Sequence, residues 1–230
     1  MDITIQPIAV MRSDFPSKFG IPRQSGLVAT LKSTIIFEPE YRNPDALKGI
    51  EGFSHLWLIW HFSEAVRNHW SPTVRPPRLG GNTRMGVFAT RSPFRPNHMG
   101  LSCVRLLEIE RTEQYGTVLH VGGADLMDGT PIFDIKPYIP YSDSIPDALG
   151  GFTATADSFL LKVEFPDNLL QILPPEKRQA AVDLLSHDPR PSYQCSPNRI
   201  YGIAFAGFDI RFCVQEDVLI VQQVTSLPLK

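Results

Sequence analysis

Arginine is concentrated in one stretch of this chain, between positions 67 and 105, which contains no lysine and no acidic residue. The whole chain has a net charge of −2, and outside the stretch it holds 15 basic and 24 acidic residues, a balance of −9. Guanidinium groups bind phosphate and carboxylate groups through paired hydrogen bonds, so the stretch predicts a cationic surface for an anionic partner. Its seven arginines are Arg67, Arg75, Arg78, Arg84, Arg91, Arg95 and Arg105.

Prolines stiffen the loop in the second half of this stretch. Pro93 and Pro96 restrict the backbone around Arg91, Arg95 and Asn97. A stiff loop that presents polar side chains is typical of a binding site. The alternative is a proline-rich surface loop whose arginines are merely solvated, and the absence of acidic residues favours the binding site.

A second polar segment, DLMDGTPIFDIKPY, brings carboxylates and a lysine close together in sequence. Asp125, Asp128, Asp134 and Lys136 fall within twelve positions, and the turn at 128–131 is expected to expose backbone amides and carbonyls to a ligand. The alternative is that the aspartates only form turns and the lysine is a surface ammonium. Spacing alone does not decide between these interpretations.

The sequence lacks the motifs of several common enzyme classes. No GxGxxG, GxxxxGK[ST], HExxH or GxSxG pattern occurs, so it gives no support for a Rossmann fold, a P-loop enzyme, a zincin or a hydrolase with a nucleophile elbow. Cys103, Cys195 and Cys213 are widely spaced, which favours reduced thiols, and the histidines lack metal-ligand spacing, so no metal is expected.

The segment FSHLWLIWHF is the most apolar in the chain. Its aromatic and branched residues favour a central strand, so Trp57, Trp60 and Phe62 are expected in the core, and His61 as a hydrogen-bonded core residue. The alternative for this aromatic strand end is contact with a sulfonium or a stacked adenine.

Short segments dominate the rest of the chain, because 21 prolines and 16 glycines interrupt it. This pattern predicts a mainly β fold with a closed or nearly closed barrel. The candidate strands span residues 3–11, 33–37, 53–62, 85–90, 101–110, 117–122 and 159–165.

A polar, glycine-bearing linker at 141–156 predicts a boundary near Gly151, with a β-barrel domain over 1–150 and a smaller α+β domain over 151–230. In the second domain, PPEKRQAAVDLLSH predicts a helix that stops before Asp188 and Pro189. Alternation over 208–214, followed by the run 218–224, predicts a hairpin.

Length and hydropathy exclude other classes of protein. A chain of 230 residues with 43% hydrophobic and 20% charged residues folds around a real core, which excludes intrinsic disorder and several large domains. No run approaches eighteen apolar residues, and the first fifteen residues do not form an export signal. We therefore expect a cytoplasmic protein without a membrane partner.

Four segments in order, GIPRQSGLV, FSHLWLIWHF, RPPRLGGNTRMGVFATRSPFRPNHMGLS and DLMDGTPIFDIKPYIPY, resemble the TsaA-like family of tRNA methyltransferases called TrmO. The resemblance covers residues 3–145 closely, and HDPRPSY at 187–193 resembles a motif in the tail of the longer bacterial members. It implies a homodimer with a small β-barrel that binds S-adenosylmethionine without a Rossmann fold. It also implies methylation of N6-threonylcarbamoyladenosine, the modified base beside the tRNA anticodon.

The resemblance also implies where the cofactor and the tRNA bind. The tail residue Arg190 lies between two prolines near Tyr193, and this stiff pair could grip the tRNA backbone or stack on a base. The alternative is that Arg190 is a solvated arginine after the end of a helix. The expected tRNA contacts are Arg75, Arg78, Arg84, Arg95, Asn97 and Arg190. The family's cofactor contacts fall on Pro22, Arg23, Gln24, His61, Phe62, Arg91, Leu101, Asp128, Gly129, Thr130 and Pro131.

Chemistry suggests the catalytic groups. The threonyl carboxylate of such a substrate requires a cation, for which Arg95 and Lys136 are candidates. Removal of the proton from nitrogen could use His61, Asp134 or Tyr138, or proceed through water or the substrate's own carboxylate. The catalytic candidates are therefore Lys136, Asp134 and Tyr138, and positioning is expected to dominate.

Two other functions remain open from the residues alone. A noncatalytic RNA-binding barrel would use the same arginines together with exposed aromatic side chains. A nucleotide-binding metabolic enzyme is the third hypothesis. Response to both S-adenosylmethionine and S-adenosylhomocysteine would distinguish the methyltransferase from the other two.

Overall fold

A computed structural model describes residues 3–67, 69–154, 160–190 and 199–228, and at Arg78 it describes the backbone only. The mainly β prediction is confirmed. The strands in these ranges are β1 (Ala9–Arg12), β2 (Lys32–Phe37), β3 (His55–His61), β4 (Thr73–Val74), β5 (Met85–Gly86), β6 (Met99–Thr112), β7 (Gly116–Gly122), β8 (Pro131–Pro137), β9 (Lys162–Glu164), β10 (Tyr201–Phe205), β11 (Phe208–Gln215) and β12 (Val218–Ser226).

Helices are short in the described part of the chain. The α-helices are α1 (Pro140–Asp143), α2 (Asp167–Leu170) and α3 (Pro175–Ser186). Turns of 3-10 helix lie at Pro39–Tyr41, Pro44–Leu47, Ile50–Gly52, Ser63–Ala65, Pro77–Leu79, Val87–Ala89 and Gly151–Thr153. None of the helices described is long and apolar enough to cross a membrane.

Six strands pair in the closed order β1–β2–β7–β6–β3–β8, with β8 returning to β1. All of the neighbouring pairs are antiparallel. The inward side chains form one core, which includes Met11, Ile35, Leu58, Leu119 and Ile132, each of them fully buried. Burial of this apolar surface drives the closure of the sheet.

Strand β3 alternates between buried and half-buried residues, although the five residues between its terminal histidines are all apolar. Leu56, Leu58 and Trp60 point inward and are buried, whereas Trp57 and Ile59 are half-buried on the outer face. The expectation of a core position is therefore correct for Trp60 and wrong for Trp57. Alternation arises because successive side chains of a strand point to opposite faces.

Strand β8 was not predicted. Prolines stand at both of its ends, Pro131 and Pro137, and polar residues between them resemble a loop. The strand nevertheless pairs with β1 on one side and β3 on the other. Proline is compatible with the end of a strand, where no ladder hydrogen bond is lost.

The predicted strand over 85–90 is wrong in most of its length. Only Met85 and Gly86 are extended, paired with Val74 and Thr73, and the chain then forms the 3-10 turn Val87–Ala89. The first predicted strand is also shorter than expected, since β1 begins at Ala9.

The C-terminal part forms a four-stranded sheet in the order β10–β11–β12–β9, with β9 parallel to β12. The predicted hairpin is confirmed as β11 and β12, and the predicted helix as α3, which begins at Pro175 and ends at Ser186. Strand β9 replaces the longer prediction over 159–165, of which residue 159 lies outside the described residues.

The core of the C-terminal sheet includes residues from the beginning of the chain. Phe15, Val28 and Leu31 are buried with α3 and the sheet, and the ring of Phe15 lies 5.6 Å from that of Phe205. The segment from 13 to 31 therefore leaves the barrel between β1 and β2 and packs against the C-terminal sheet.

This packing predicts that Phe15→Ala destabilises the protein by about 3–5 kcal/mol, because it removes a buried ring and leaves a cavity. Phe19→Ala is the matched control: its ring is 62% exposed, so the change should stay within about 0.5 kcal/mol. Urea unfolding measures both free energies. Equal stability of the two variants would contradict the role of Phe15 in the C-terminal core.

Candidate active site

A cleft of about 590 Å³ opens at the end of the barrel where β3 finishes and β6 begins. Its walls come from the loop that holds Pro22, the 3-10 turn at Ser63–Ala65 and the loop that holds Arg91 and Arg95. The segment between β7 and β8 completes it through Asp125, Met127 and Thr130. The cleft therefore gathers residues that are more than one hundred positions apart in sequence.

The indole of Trp60 forms the floor of the cleft, and it lies directly against the backbone of β6. A Cβ atom on residue 100 would overlap the indole ring, so only glycine fits there. Phe62 packs on the same indole, with ring centroids 4.2 Å apart. The amide of Phe62 donates to the carbonyl of His98 at 2.9 Å, which extends the β3–β6 pairing beyond the strand.

A chain of hydrogen bonds runs from this floor to a carboxylate. The Nε1 of Trp60 donates to the Oγ of Ser102 at 3.0 Å, and the Ser102 hydroxyl donates to the Oδ1 of Asp125 at 2.6 Å. Burial raises the pKa of Asp125 above its ordinary value, although the Ser102 hydrogen bond and the charge of Arg91 oppose this effect. The carboxylate is thus fixed in place.

The loop that holds Pro22 and Gln24 is anchored to the barrel. Ser25 accepts a hydrogen bond from the amide of Cys103 at 3.1 Å, and the amide of Gly26 donates to the carbonyl of Gly123 at 2.8 Å. These bonds hold the loop over the start of β6 and form one wall of the cleft.

Most of the residues assigned to the cofactor by resemblance lie in this cleft. Arg91 and Gln24 join its two loops, since the Nη1 of Arg91 donates to the Oε1 of Gln24. Asp128, Gly129 and Pro131 do not line the cleft. The residues that line it are Pro22, Arg23, Gln24, His61, Phe62, Arg91, Leu101 and Thr130.

The turn at 128–131 does not present free amides, which corrects the expectation from its sequence. The amide of Asp128 donates to the carbonyl of Phe15, and that of Gly129 to the carbonyl of Met11, both at 2.8 Å. The Asp128 carboxylate accepts from the amide of Ser13 at 3.0 Å and lies 3.4 Å from Arg12. The turn therefore joins the barrel to residues 11–15.

The three catalytic candidates lie on or just beyond β8, outside the cleft lining. Asp134 and Lys136 form an exposed ion pair at 2.9 Å. Tyr138 packs beside Trp57, whose indole donates to Asp143 at 2.9 Å. This bond and one from the amide of residue 139 lower the pKa of Asp143. Of the expected cations for a substrate carboxylate, the cleft therefore contains Arg95 and not Lys136.

The arginine stretch contributes Arg91 and Arg95 to the cleft, whereas Arg105 lies at the far end of the β3–β6 pairing, opposite His55. The side chains of Arg75, Arg84 and Asn97 are exposed, and that of Arg78 is outside the described residues. Two aromatic rings lie among them: Trp70 is 52% exposed and Phe88 is 74% exposed, with centroids 6.2 Å apart. Arginine and exposed aromatic rings together suit contact with a nucleic acid.

Arg190 forms an ion pair with a near neighbour in sequence. Its guanidinium forms two hydrogen bonds with the carboxylate of Asp188, at 2.7 and 2.8 Å, and its side chain is 14% exposed. Its contact with tRNA stays a prediction. Tyr193 lies outside the described residues, as does Cys195.

The sequence indicates part of the floor of the cleft, since it gives contact with a sulfonium or an adenine as the alternative for the aromatic end of β3. It does not indicate Ser102 or the pairing of Trp60 with Gly100. The signal for that pairing is a glycine inside a strand, which marks a close approach of another group. The described lining offers a half-buried carboxylate, aromatic faces and several arginines, which suits a ligand that carries charges of both signs.

Two family models match the chain: the tRNA-methyltransferase O N-terminal domain over residues 10–144 and the TrmO C-terminal domain over 158–227. The tRNA (adenine(37)-N6)-methyltransferase of Escherichia coli K12 is 41% identical over 219 residues, which cover 92% of this chain and 93% of that protein.

A curated protein and a solved structure, both from Pseudomonas aeruginosa, are also similar. One, named a putative S-adenosylmethionine-dependent methyltransferase, is 40% identical over 220 residues, 92% of this chain and 93% of its own length. The other is a crystal structure of TrmO, with a TM-score of 0.78 and 32% identity, covering 98% of this chain and 100% of that one.

The close approach at Gly100 predicts that Gly100→Ala displaces the indole of Trp60 and destabilises the protein by about 1–3 kcal/mol, as overpacking does. Gly52→Ala is the control, because a Cβ there would meet no atom within 4 Å. Urea unfolding and near-ultraviolet circular dichroism measure stability and the indole environment. If both variants behave like the unmodified protein, Trp60 does not pack as described.

Proposed function

This chain belongs to the TrmO family of tRNA methyltransferases, and we propose that its cleft holds S-adenosylmethionine while the adjoining arginine surface holds tRNA. The chain is an S-adenosylmethionine-dependent enzyme that methylates N6 of the adenine at position 37 of tRNA. A noncatalytic RNA-binding protein is not favoured. The observation that carries the proposal is the convergence of eight family cofactor positions on one cleft.

The residues of the cleft fit the chemistry of this cofactor. Trp60 and Phe62 provide aromatic faces for an adenine or a sulfonium, and Arg23 and Arg91 provide cations for a carboxylate. When bound, S-adenosylmethionine supplies an electrophilic methyl group. The protein then has to hold the target nitrogen in line with that group and exclude competing water, which stiff cleft walls accomplish.

We propose that Arg95 selects a substrate that carries the threonylcarbamoyl group. Arg95 lines the cleft and is half-buried, and its Nη1 lies 3.5 Å from the carbonyl of Thr90, which orients the guanidinium. A half-buried arginine binds a carboxylate through charge-assisted hydrogen bonds. Lys136 is less suited, because Asp134 already neutralises it at the exposed face of β8.

Exposed apolar side chains that follow one another in sequence support the homodimer that the resemblance implies. The segment after β8 exposes Tyr141 at 92%, Ile145 at 64% and Leu149 at 97%. Clustered exposed apolar side chains are typical of surfaces that another chain covers. We also propose that the enzyme works in the cytoplasm, where an enzyme of this class meets its tRNA substrate.

Arg95→Gln should lower kcat/KM for threonylcarbamoylated tRNA by about 10- to 100-fold, the effect of losing one charge-assisted hydrogen bond. Single-turnover methyl transfer to tRNA with and without the modification measures this. Lys136→Ala is the comparison and should retain most of the activity. A larger loss of activity in Lys136→Ala than in Arg95→Gln would indicate that Lys136 binds the threonyl carboxylate of the substrate. Equal methylation of both tRNAs by the unmodified enzyme would contradict selection of the substrate by its threonylcarbamoyl group.

Arg75→Ala combined with Arg84→Ala should weaken tRNA binding and reduce the slope of log K against log salt by about 1 to 2, since each phosphate contact releases counterions. Lys48→Ala combined with Arg111→Ala removes the same charge from exposed positions outside the arginine stretch. This control should keep the slope. An unchanged slope in the first variant would contradict the proposal that tRNA binds to this surface.

A further inference from the structure

We infer that Asp125 recognises the positive charge of the methyl donor and thereby lets the cleft distinguish S-adenosylmethionine from S-adenosylhomocysteine, its uncharged thioether product. The inference rests on the proposed function, because it assumes that this cleft holds the cofactor. It adds a specificity-determining residue that the cofactor positions assigned by family resemblance do not include.

The first argument is the position of the carboxylate. Asp125 lies between β7 and β8 and lines the cleft beside the aromatic floor formed by Trp60 and Phe62. The hydrogen bond from Ser102 fixes one of its oxygens. Within the described ranges, Asp125 forms no ion pair with a lysine, arginine or histidine. Its charge is therefore available to a ligand.

The second argument is the charge of the rest of the cleft. The described lining contains four cationic side chains and two acidic ones, and one of the acids, Glu64, is exposed to solvent. Asp125 is the other acid. A cleft with this excess of positive charge would otherwise repel a sulfonium. The cationic side chains are Lys18, Arg23, Arg91 and Arg95.

The third argument is the free energy of burial. A carboxylate that is withdrawn from water is costly unless a positive charge or hydrogen bonds compensate it. The hydrogen bond from Ser102, backbone amides of Ser25 and Asp125, and the charge of Arg91 compensate Asp125 in part. A cation bound against the carboxylate and the aromatic faces would supply the rest, and a neutral thioether would not.

The alternative is that Asp125 only orients Trp60 through Ser102. In that case the residue is structural, and its replacement disturbs the floor for every ligand alike. The sulfonium and the thioether share their adenosine, amino and carboxylate groups, so the ratio of their affinities reports the charge at sulfur and little else. This ratio separates charge recognition from orientation.

The test is Asp125→Asn, which retains the shape of the side chain and removes its charge. Isothermal titration gives the dissociation constants for S-adenosylmethionine and S-adenosylhomocysteine. We expect the variant to lose about tenfold or more of its preference for the charged ligand, while its affinity for the thioether changes by less than about threefold. Glu113→Gln, an equal change of charge at an exposed acid in the β6–β7 turn and outside the cleft, should keep the ratio within about twofold.

Each other outcome overturns the inference. An equal loss of both affinities would make Asp125 structural, and unchanged affinities would give it no role in binding. A change of the ratio in Glu113→Gln as large as that in Asp125→Asn would indicate the general electrostatic field of the protein. If the unmodified protein binds neither ligand, the proposed function fails instead, and the two failures are thus distinguishable.

A second measurement needs no variant and covers the case in which Asp125→Asn does not fold. Sinefungin resembles the thioether but carries an ammonium on carbon in place of the sulfonium. The unmodified protein should bind it more tightly than S-adenosylhomocysteine. Weaker binding of sinefungin would contradict recognition of a positive charge.

Discussion

The indole of Trp60 rests on the bare backbone of Gly100, and the functional end of the barrel depends on this contact. The ring fills the space that a side chain on β6 would occupy, so the adjacent strands β3 and β6 can approach at the floor of the cleft. From this position the indole donates to Ser102, which in turn fixes Asp125. One small residue thus permits a large aromatic floor, and that floor sets the direction of a carboxylate.

Backbone hydrogen bonds hold much of the walls of the cleft. The amide of Gly129 donates to the carbonyl of Met11 in β1, that of Asp128 to Phe15 in the loop that follows, and that of Gly26 to Gly123. These bonds hold two loops against the barrel without using the polar side chains of the cleft. Arg91 and Gln24 also join two walls, so this pair combines support with its proposed contact to the ligand.

Local patterns predicted the elements whose signals are local. The helix that begins at Pro175, the hairpin of β11 and β12 and the apolar strand β3 carry their periodicity within a few residues. Strand β8 was missed, because its pairing is decided by distant strands on both sides and its prolines suggest a loop. The proposed cofactor positions come from resemblance of motifs, and they stay predictions. The hydrogen-bond chain from Trp60 to Asp125 could not be predicted. Ser102 and Asp125 are 23 positions apart, and a hydrogen bond over that separation produces no pattern in the sequence.

The segment between β1 and β2 contacts both the C-terminal sheet and the cleft of the barrel. Phe15, Val28 and Leu31 are buried in the C-terminal core, and Gly20 lies against Ile203. Within the same segment, Pro22 and Gln24 line the cleft. One wall of the cleft is therefore supported by residues of the C-terminal sheet. During synthesis on a ribosome, this wall lacks its support until β10 to β12 have emerged, so a nascent chain completes the cleft only after that sheet can form.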